Sequence, residues 1–301
     1  MVHERPALRL LALARSPFLS ARERILVADA LEAELSELTL SDLEGLCGRR
    51  HRDAKWEPRR LEDEALRDEA WLAATGTRAY SFFDPDYPVL LRETARPPFM
   101  LYVRGRLPGQ DSPALAVVGT RFPTGRGLEA AAAIAAGAGR AGVALVSGLA
   151  RGIDSAAHRG ALSGGGRTFA VLGRGVDSVY PPSNKDLAAR MIAAGGGLLS
   201  EYPPGTPPSR WTFPERNRII AGLCRSTVVV EAPAGSGALI SADFALEEGR
   251  DLFVAKATLR GPRSAGSDRL YEDGAVAVES FNDIADDWRQ SARAFDYAAR
   301  A

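Results

Sequence analysis

The sequence predicts an α/β protein in which a doubly wound, mostly parallel sheet follows a small all-helical domain. Three observations carry that reading. Short continuous apolar runs alternate with amphipathic stretches from about residue 114 onward. The 30 glycines and 19 prolines punctuate the ends of those runs instead of forming a linker. The first 78 residues contain no convincing strand. A sheet buried on both faces requires continuous apolar strands, and the stretches between them supply the crossover helices.

Residues 1–78 read as the helical domain. Apolar residues recur at helical spacing over Ala21–Leu35, with Ile25, Leu26, Leu31 and Leu35, and again over Leu61–Leu72. Ser20 and either Thr39 or Ser41 stand at N-cap positions, and Glu23 completes a capping box with Ser20. Thr75-Gly76-Thr77 marks the end. From Arg78 to Arg106 a proline-rich connector (Pro85, Pro88, Pro97, Pro98) ends in the strand-like Phe99–Val103, expected at the sheet edge.

The sheet domain is expected over residues 79–285. Its core strands are Ala114–Val118, Val143–Val146, Thr168–Leu172, Leu198–Ser200, Thr227–Val230 and Leu252–Ala255. Helices fall at Leu128–Ala141, Asp154–Leu162, Lys185–Ala194, Glu215–Leu223 and Leu239–Glu248. In such folds ligands bind beyond the carboxyl ends of the strands, so function belongs in the loops there. Residues 286–301 read as a short tail.

Composition excludes several classes. No apolar run reaches the roughly 18 residues a membrane span needs, and Arg9, Arg15 and Pro17 break the apolar N-terminal stretch, which makes a poor signal peptide. Cys47 and Cys224 supply neither a disulfide framework nor a structural zinc site, consistent with a reducing cytoplasm. No His/Cys/carboxylate cluster shows metal-ligand spacing, so no metal is expected. No nucleophile–base pair stands out, so catalysis is not required.

The loops after the strands repeat one theme, glycine followed by a cation at a helix start. Gly119–Gly127 follows the first core strand and carries Arg121; its spacing matches neither the dinucleotide nor the Walker fingerprint. Arg121 reads as a phosphate ligand or as a solvated turn residue. Ser147–Asp154 places Arg151 between Gly148 and Gly152 ahead of a helix that Asp154 is expected to cap. His158 suits a structural hydrogen bond. Lys185, one of three lysines, follows Asn184 at a helix N-terminus, where a cation is unfavourable unless an anion binds. Arg216 and Arg218 bracket Asn217, either as an anion site or as ion-pair partners of Glu215 and Glu201.

Together, Val118–Arg121, Ser147–Asp154 with His158, Ala170–Gly175 with Tyr180-Pro181 and Asn184, Ser200-Glu201, Phe213–Gly222, and Val230–Ala232 with Ser236-Gly237 carry a family resemblance. Over about residues 80–280 they resemble the DprA/Smf family, the DNA-processing protein A of bacterial natural transformation. The resemblance implies an extended Rossmann-like fold that binds single-stranded DNA as a cytoplasmic homodimer and helps load the RecA recombinase, with no catalysis and no cofactor. It makes Arg121, Arg151 and Lys185 the foremost DNA contacts, followed by Arg216, Asn217 and Arg218. The backbone of Gly119, Thr120, Ser147 and Gly148 would line the same pocket. The helical domain resembles the sterile-alpha-motif-like (SAM-like) domain that often precedes this fold, and no C-terminal winged-helix domain is expected. Lys256-Ala257 and Asp268 depart from the family's usual Pro-Gly and Asn.

A second reading makes the chain a nucleotide hydrolase of the nucleoside monophosphate phosphoribohydrolase type, with Glu231 and the 235–237 turn in catalysis. Those hydrolases carry another acidic residue one turn into the next helix, where this chain has Leu239–Ala242.

Overall charge is zero, from 38 basic and 38 acidic residues, which first argues against nucleic acid. Its distribution reverses that inference. Residues 86–230 hold 17 basic against 9 acidic side chains, a net of +8, whereas residues 1–85 carry −3 and residues 231–301 carry −5. The basic stretch is the one that contains the strand-end loops.

Overall fold

The computed structural model describes residues 8–30, 35–109 and 113–298. Leu31, noted above, lies outside them. Four helices come first: α1 (Leu8–Ala14), α2 (Ala21–Ala30), α3 (Leu40–Cys47) and α4 (Pro58–Thr75). The capping box that begins α2 forms as expected, with Ser20 N donating to Glu23 Oε2 at 2.7 Å and Glu23 N to Ser20 Oγ at 3.3 Å. Thr39, not Ser41, caps α3, reciprocally with Asp42.

The connector holds more structure than the sequence suggested. β1 (Arg78–Ser81) and α5 (Val89–Arg92) precede β2 (Met100–Gly105). β1 is the true edge strand, and β2, expected there, lies between β1 and the core, antiparallel to both neighbours. Four residues of β1 are too few to show a period in the sequence.

The remaining elements are β3 (Ala114–Val118), α6 (Gly125–Arg140), β4 (Ala144–Ser147), α7 (Ile153–Ser163), β5 (Thr168–Val171), α8 (Lys185–Ala193) and β6 (Gly197–Ser200). They continue through α9 (Thr212–Glu215), α10 (Asn217–Gly222), β7 (Ser226–Val229), α11 (Gly237–Glu247) and β8 (Asp251–Ala255), then α12 (Ala265–Glu272), β9 (Val276–Val278) and α13 (Phe281–Ala298). The helix expected over Glu215–Leu223 is thus two short ones meeting at Arg216, and β9 adds a parallel strand beside β8. Among the described residues no helix is long and apolar enough to cross a membrane.

The described strands form one sheet in the order β1-β2-β6-β5-β4-β3-β7-β8-β9. From β6 to β9 every neighbouring pair is parallel. β3 alternates between two cores: Ala114, Ala116 and Val118 join α10 and α11 on one face, while Leu115 and Val117 join α6, α7 and α13 on the other. Burial on both faces explains why the strand reads as an unbroken apolar run. Helices α1–α4 form a further core that continues into Ala79 of β1 and Met100 and Tyr102 of β2, so they pack on the antiparallel wing of the sheet.

Topology fixes where a ligand can enter. Strands β4, β5 and β6 lie on one side of β3, and β7, β8 and β9 lie on the other. The order reverses between β3 and β7, and the loops leaving their carboxyl ends part there to open a cleft.

Candidate nucleic-acid interface

Each wall of that cleft is built locally. After β3, Thr120 N donates to the Glu231 carbonyl at 2.7 Å, and its own carbonyl accepts from Ile153 N at 3.2 Å. The loops after β3, β4 and β7 are thereby joined through backbone. The Thr124 hydroxyl caps α6, accepting from Gly127 N, and donates to the buried Glu231 carboxylate, which also accepts from Thr124 N at 2.7 Å. Glu231, the residue a hydrolase reading would use, is therefore engaged at the start of α6 and lies outside the cleft lining.

The cleft has a volume of about 440 Å³. Gly119, Thr120, Arg121 and Phe122 form one wall, and Phe213, Arg216 and Asn217 form another. The third wall is Ser236-Gly237 at the N-terminus of α11, the positive end of that helix's dipole. A smaller hollow adjoins it, sharing Arg121, Phe213 and Arg216 and adding Gly148, Arg151, Tyr180 and Pro181.

Cations and rings alternate around this opening. The Arg121 guanidinium lies 5.7 Å from the Phe213 ring centre and Arg151 6.0 Å from Phe122; just before Phe213 in the chain, outside the lining, Arg210 lies 4.6 Å from Trp211. Tyr180 and Phe213 have ring centres 5.7 Å apart. Trp211 and Phe122 are 70% and 64% exposed, so much of each ring faces solvent.

Beneath the opening, Arg216 is buried and plays a different part. Its Nη1 donates to the Gly148 carbonyl at 2.7 Å and to the Val171 carbonyl, and its Nε donates to Asn217 Oδ1 at 2.9 Å. Asn217 in turn donates to the Gly237 carbonyl at 3.1 Å. Burial pushes the Arg216 guanidinium below its ordinary value, and the nearby Asp154 carboxylate opposes that shift. Asp154 does not cap its helix; it folds back to accept from Gly148 N and Ala150 N, each at 3.2 Å. Burial raises its carboxyl, against the pull of Arg216 and those two donors.

Of the expected site residues, Gly119, Thr120, Arg121, Gly148, Arg151, Arg216 and Asn217 come together here. Three do not. Ser147 is buried, with its hydroxyl on the Val117 carbonyl at 2.7 Å, stitching β4 to β3. Arg218 is buried between Glu201 and Glu215, the ion-pairing alternative, at 3.0 Å from the latter. Lys185 lines a separate hollow of about 310 Å³ with Arg104 and Asp177. Nor does Asn184 cap α8 through its side chain; the amide donates to the Leu149 carbonyl and Ser155 Oγ, both at 2.9 Å. The departures from the family pattern are structural: Asp268 accepts from Arg260 N and Ser264 Oγ, and Lys256 pairs with Glu279 at 2.7 Å.

The aromatic residues went unread in the sequence. Arg121-Phe122 and Arg210-Trp211 each pair a cation with a neighbouring ring, a pattern suited to phosphate and base respectively, and that adjacency was the available signal.

Fold and cleft define a class: a doubly wound, Rossmann-like protein whose cationic, ring-lined opening lies at the switch point of the sheet. The chain belongs to the family described as DNA recombination-mediator protein A, whose model matches residues 78–289. Protein Smf of Synechocystis sp. is 46% identical over 205 residues, which are 67% of this chain and 51% of that protein, so the chain matches about half the relative's length. DNA processing protein DprA of Streptococcus pneumoniae is 42% identical over 206 residues, 68% of this chain and 72% of that protein. The X-ray structure of the S. pneumoniae protein superposes with a TM-score of 0.76 at 35% identity, covering 93% of this chain and 98% of that one. DNA processing protein A of Helicobacter pylori, whose structure is described for its single-stranded DNA binding mode, gives 0.63 at 27% identity, covering 71% and 96%. The resemblance read from the sequence and the expected fold class are both met.

Proposed function

We propose that this chain binds single-stranded DNA in the cleft between β3 and β7 and acts there as a non-catalytic mediator, protecting the strand and helping to load RecA recombinase. The observation that carries the reading is the pairing of Arg121 with Phe213 and of Arg151 with Phe122 around one opening. Arginines neutralise phosphates, and exposed rings offer faces to bases that only a single strand can splay out. A duplex keeps its bases stacked and gains nothing from the rings. Membership of the recombination-mediator family and the H. pylori relative's binding mode support the same assignment. As in the family resemblance, the working unit would be a cytoplasmic homodimer.

The test compares labelled oligo-dT with a duplex of equal length by fluorescence anisotropy over a salt series. Tighter, strongly salt-dependent binding of the single strand is expected; equal affinity for both would sink the assignment. Strand exchange by RecA on DNA coated with single-strand-binding protein should accelerate on adding the chain, and no acceleration would remove the loading role while leaving the binding role standing.

A further inference from the structure

The helical region carries a second polar group, none of whose members lines the cleft. Among the described residues, Glu23, Cys47 and His51 bring a carboxylate oxygen, Sγ and an imidazole nitrogen to within 4.8 Å of one another. Glu23 sits in the first turn of α2, and Cys47 is the last residue of α3. Gly48, left-handed at φ 68°, ends α3 and turns the chain so that His51 comes back toward α2. The linear spacing of these three resembles no zinc motif; only the fold of the helices draws them together.

His51 supplies the independent sign of a ligand. Its side chain is 3% exposed, its ring packs 5.0 Å from Phe18, and Nε2 has no hydrogen-bond partner. That nitrogen points at Glu23, 3.5 Å from Oε1. Tetrahedral zinc with ordinary bonds to nitrogen, oxygen and sulfur holds its ligand atoms about 3.4–3.6 Å apart. Glu23 and His51 already stand at that spacing, and Cys47 Sγ lies within 4.8 Å of a ligand atom of each.

Glu23 is partly committed at present. Its Oε2 accepts from Ser20 N at 2.7 Å, and Arg49 pairs with both oxygens. The Ser20 bond holds the carboxylate in place and leaves Oε1 toward His51. Arg49 is 57% exposed, so its guanidinium can exchange the carboxylate for water.

We propose that Glu23 Oε1, Cys47 Sγ and His51 Nε2 bind a Zn²⁺ ion that staples α2 to the end of α3. One thiolate, one imidazole and one carboxylate form a borderline-soft set that suits zinc over magnesium or calcium, which take oxygen ligands. Three protein ligands leave a fourth position for water. On binding, the Cys47 thiol gives its proton to solvent and Arg49 leaves the carboxylate; no electron moves.

The experiment uses the full chain, stripped of metal by a chelator and then titrated with Zn²⁺ by calorimetry and with Co²⁺ by absorption. Saturable binding of one ion per chain is expected, with a thiolate-to-cobalt charge-transfer band that disappears in Cys47→Ser and persists in Cys224→Ser. His51→Gln and Glu23→Gln should weaken zinc by at least about tenfold, the scale for losing even an outer-shell partner. Because those three ligand variants could lose stability, their melting is compared with the parent in chelator. Arg49→Ala changes only an exposed competitor and should bind zinc more tightly. Lack of saturable binding in both the parent and Arg49→Ala, or a cobalt band unchanged by Cys47→Ser, overturns the proposal.

Discussion

Arg216 Nη1 donates to the Gly148 carbonyl at 2.7 Å, tying the loop after β4 to the junction of α9 and α10 across the floor of the cleft. The contact leaves no room for a side chain at residue 148, since a Cβ there would run into the guanidinium. Arg216 → Ala would strip a donor from two carbonyls and leave Asp154 without its nearby cation. Losing one partner of a buried charged group costs about 3–5 kcal/mol, and a loss of that order in urea unfolding is expected. Gly148→Ala should also destabilise, by displacing the same guanidinium. If Arg216→Ala unfolds like the parent and only DNA affinity falls, Arg216 is a ligand contact and not a brace.

Arg121 is exposed at the rim and is expected to contact phosphate. Arg121→Ala should weaken oligo-dT binding and reduce the slope of log affinity against log salt by about 0.7, the value for one phosphate on a single strand. Arg151→Ala should do the same. Measured by anisotropy over a salt series, an unchanged slope in both variants would remove them from the phosphate path.

The rings should behave differently. Trp211→Ala or Phe122→Ala should lower affinity by about 1–3 kcal/mol for a stacked base while leaving the salt slope intact. A slope that falls along with affinity would mean that each ring acts only by positioning its neighbouring arginine, Arg210 or Arg151.

His158 provides a pH signature. It is fully buried, with Nδ1 2.7 Å from Thr168 Oγ1 and Nε2 unpartnered, and burial pushes its pKa down to about 3. The unfolded chain, with an ordinary imidazole near 6.5, binds the proton more readily than the folded one. Stability from this residue is therefore complete above about pH 6.5 and falls as pH drops toward 3. The loss by pH 5 is about 2 kcal/mol relative to neutral pH. Urea midpoints measured across that window should show the decline in the parent, and His158→Gln should lack this component of it.

Much of the architecture was legible in the chain. Runs such as Ala114–Val118 and Leu252–Ala255 are apolar at every position because the sheet is covered on both faces, and that local pattern needs no partner to be read. The glycine–cation loops at Gly119–Arg121 and Gly148–Arg151 pointed to the candidate site for the same reason: strand, turn and helix start are adjacent in sequence. Ser20 with Glu23 and Thr39 with Asp42 are likewise contacts over three residues.

What the tertiary structure alone decided was the fate of each polar side chain. Arg216 and Arg218 are two residues apart, yet one braces the cleft floor and the other pairs with Glu201, because a helix turns neighbouring side chains toward different surroundings. Lys185 lines another hollow, Glu231 is held at the start of α6, and Glu23, Cys47 and His51 meet from separate elements. Residue type and periodicity depend on the local chain, whereas burial and partners depend on packing across it. Composition therefore showed that residues 86–230 are basic, and only the fold showed which of those charges remain free for a ligand.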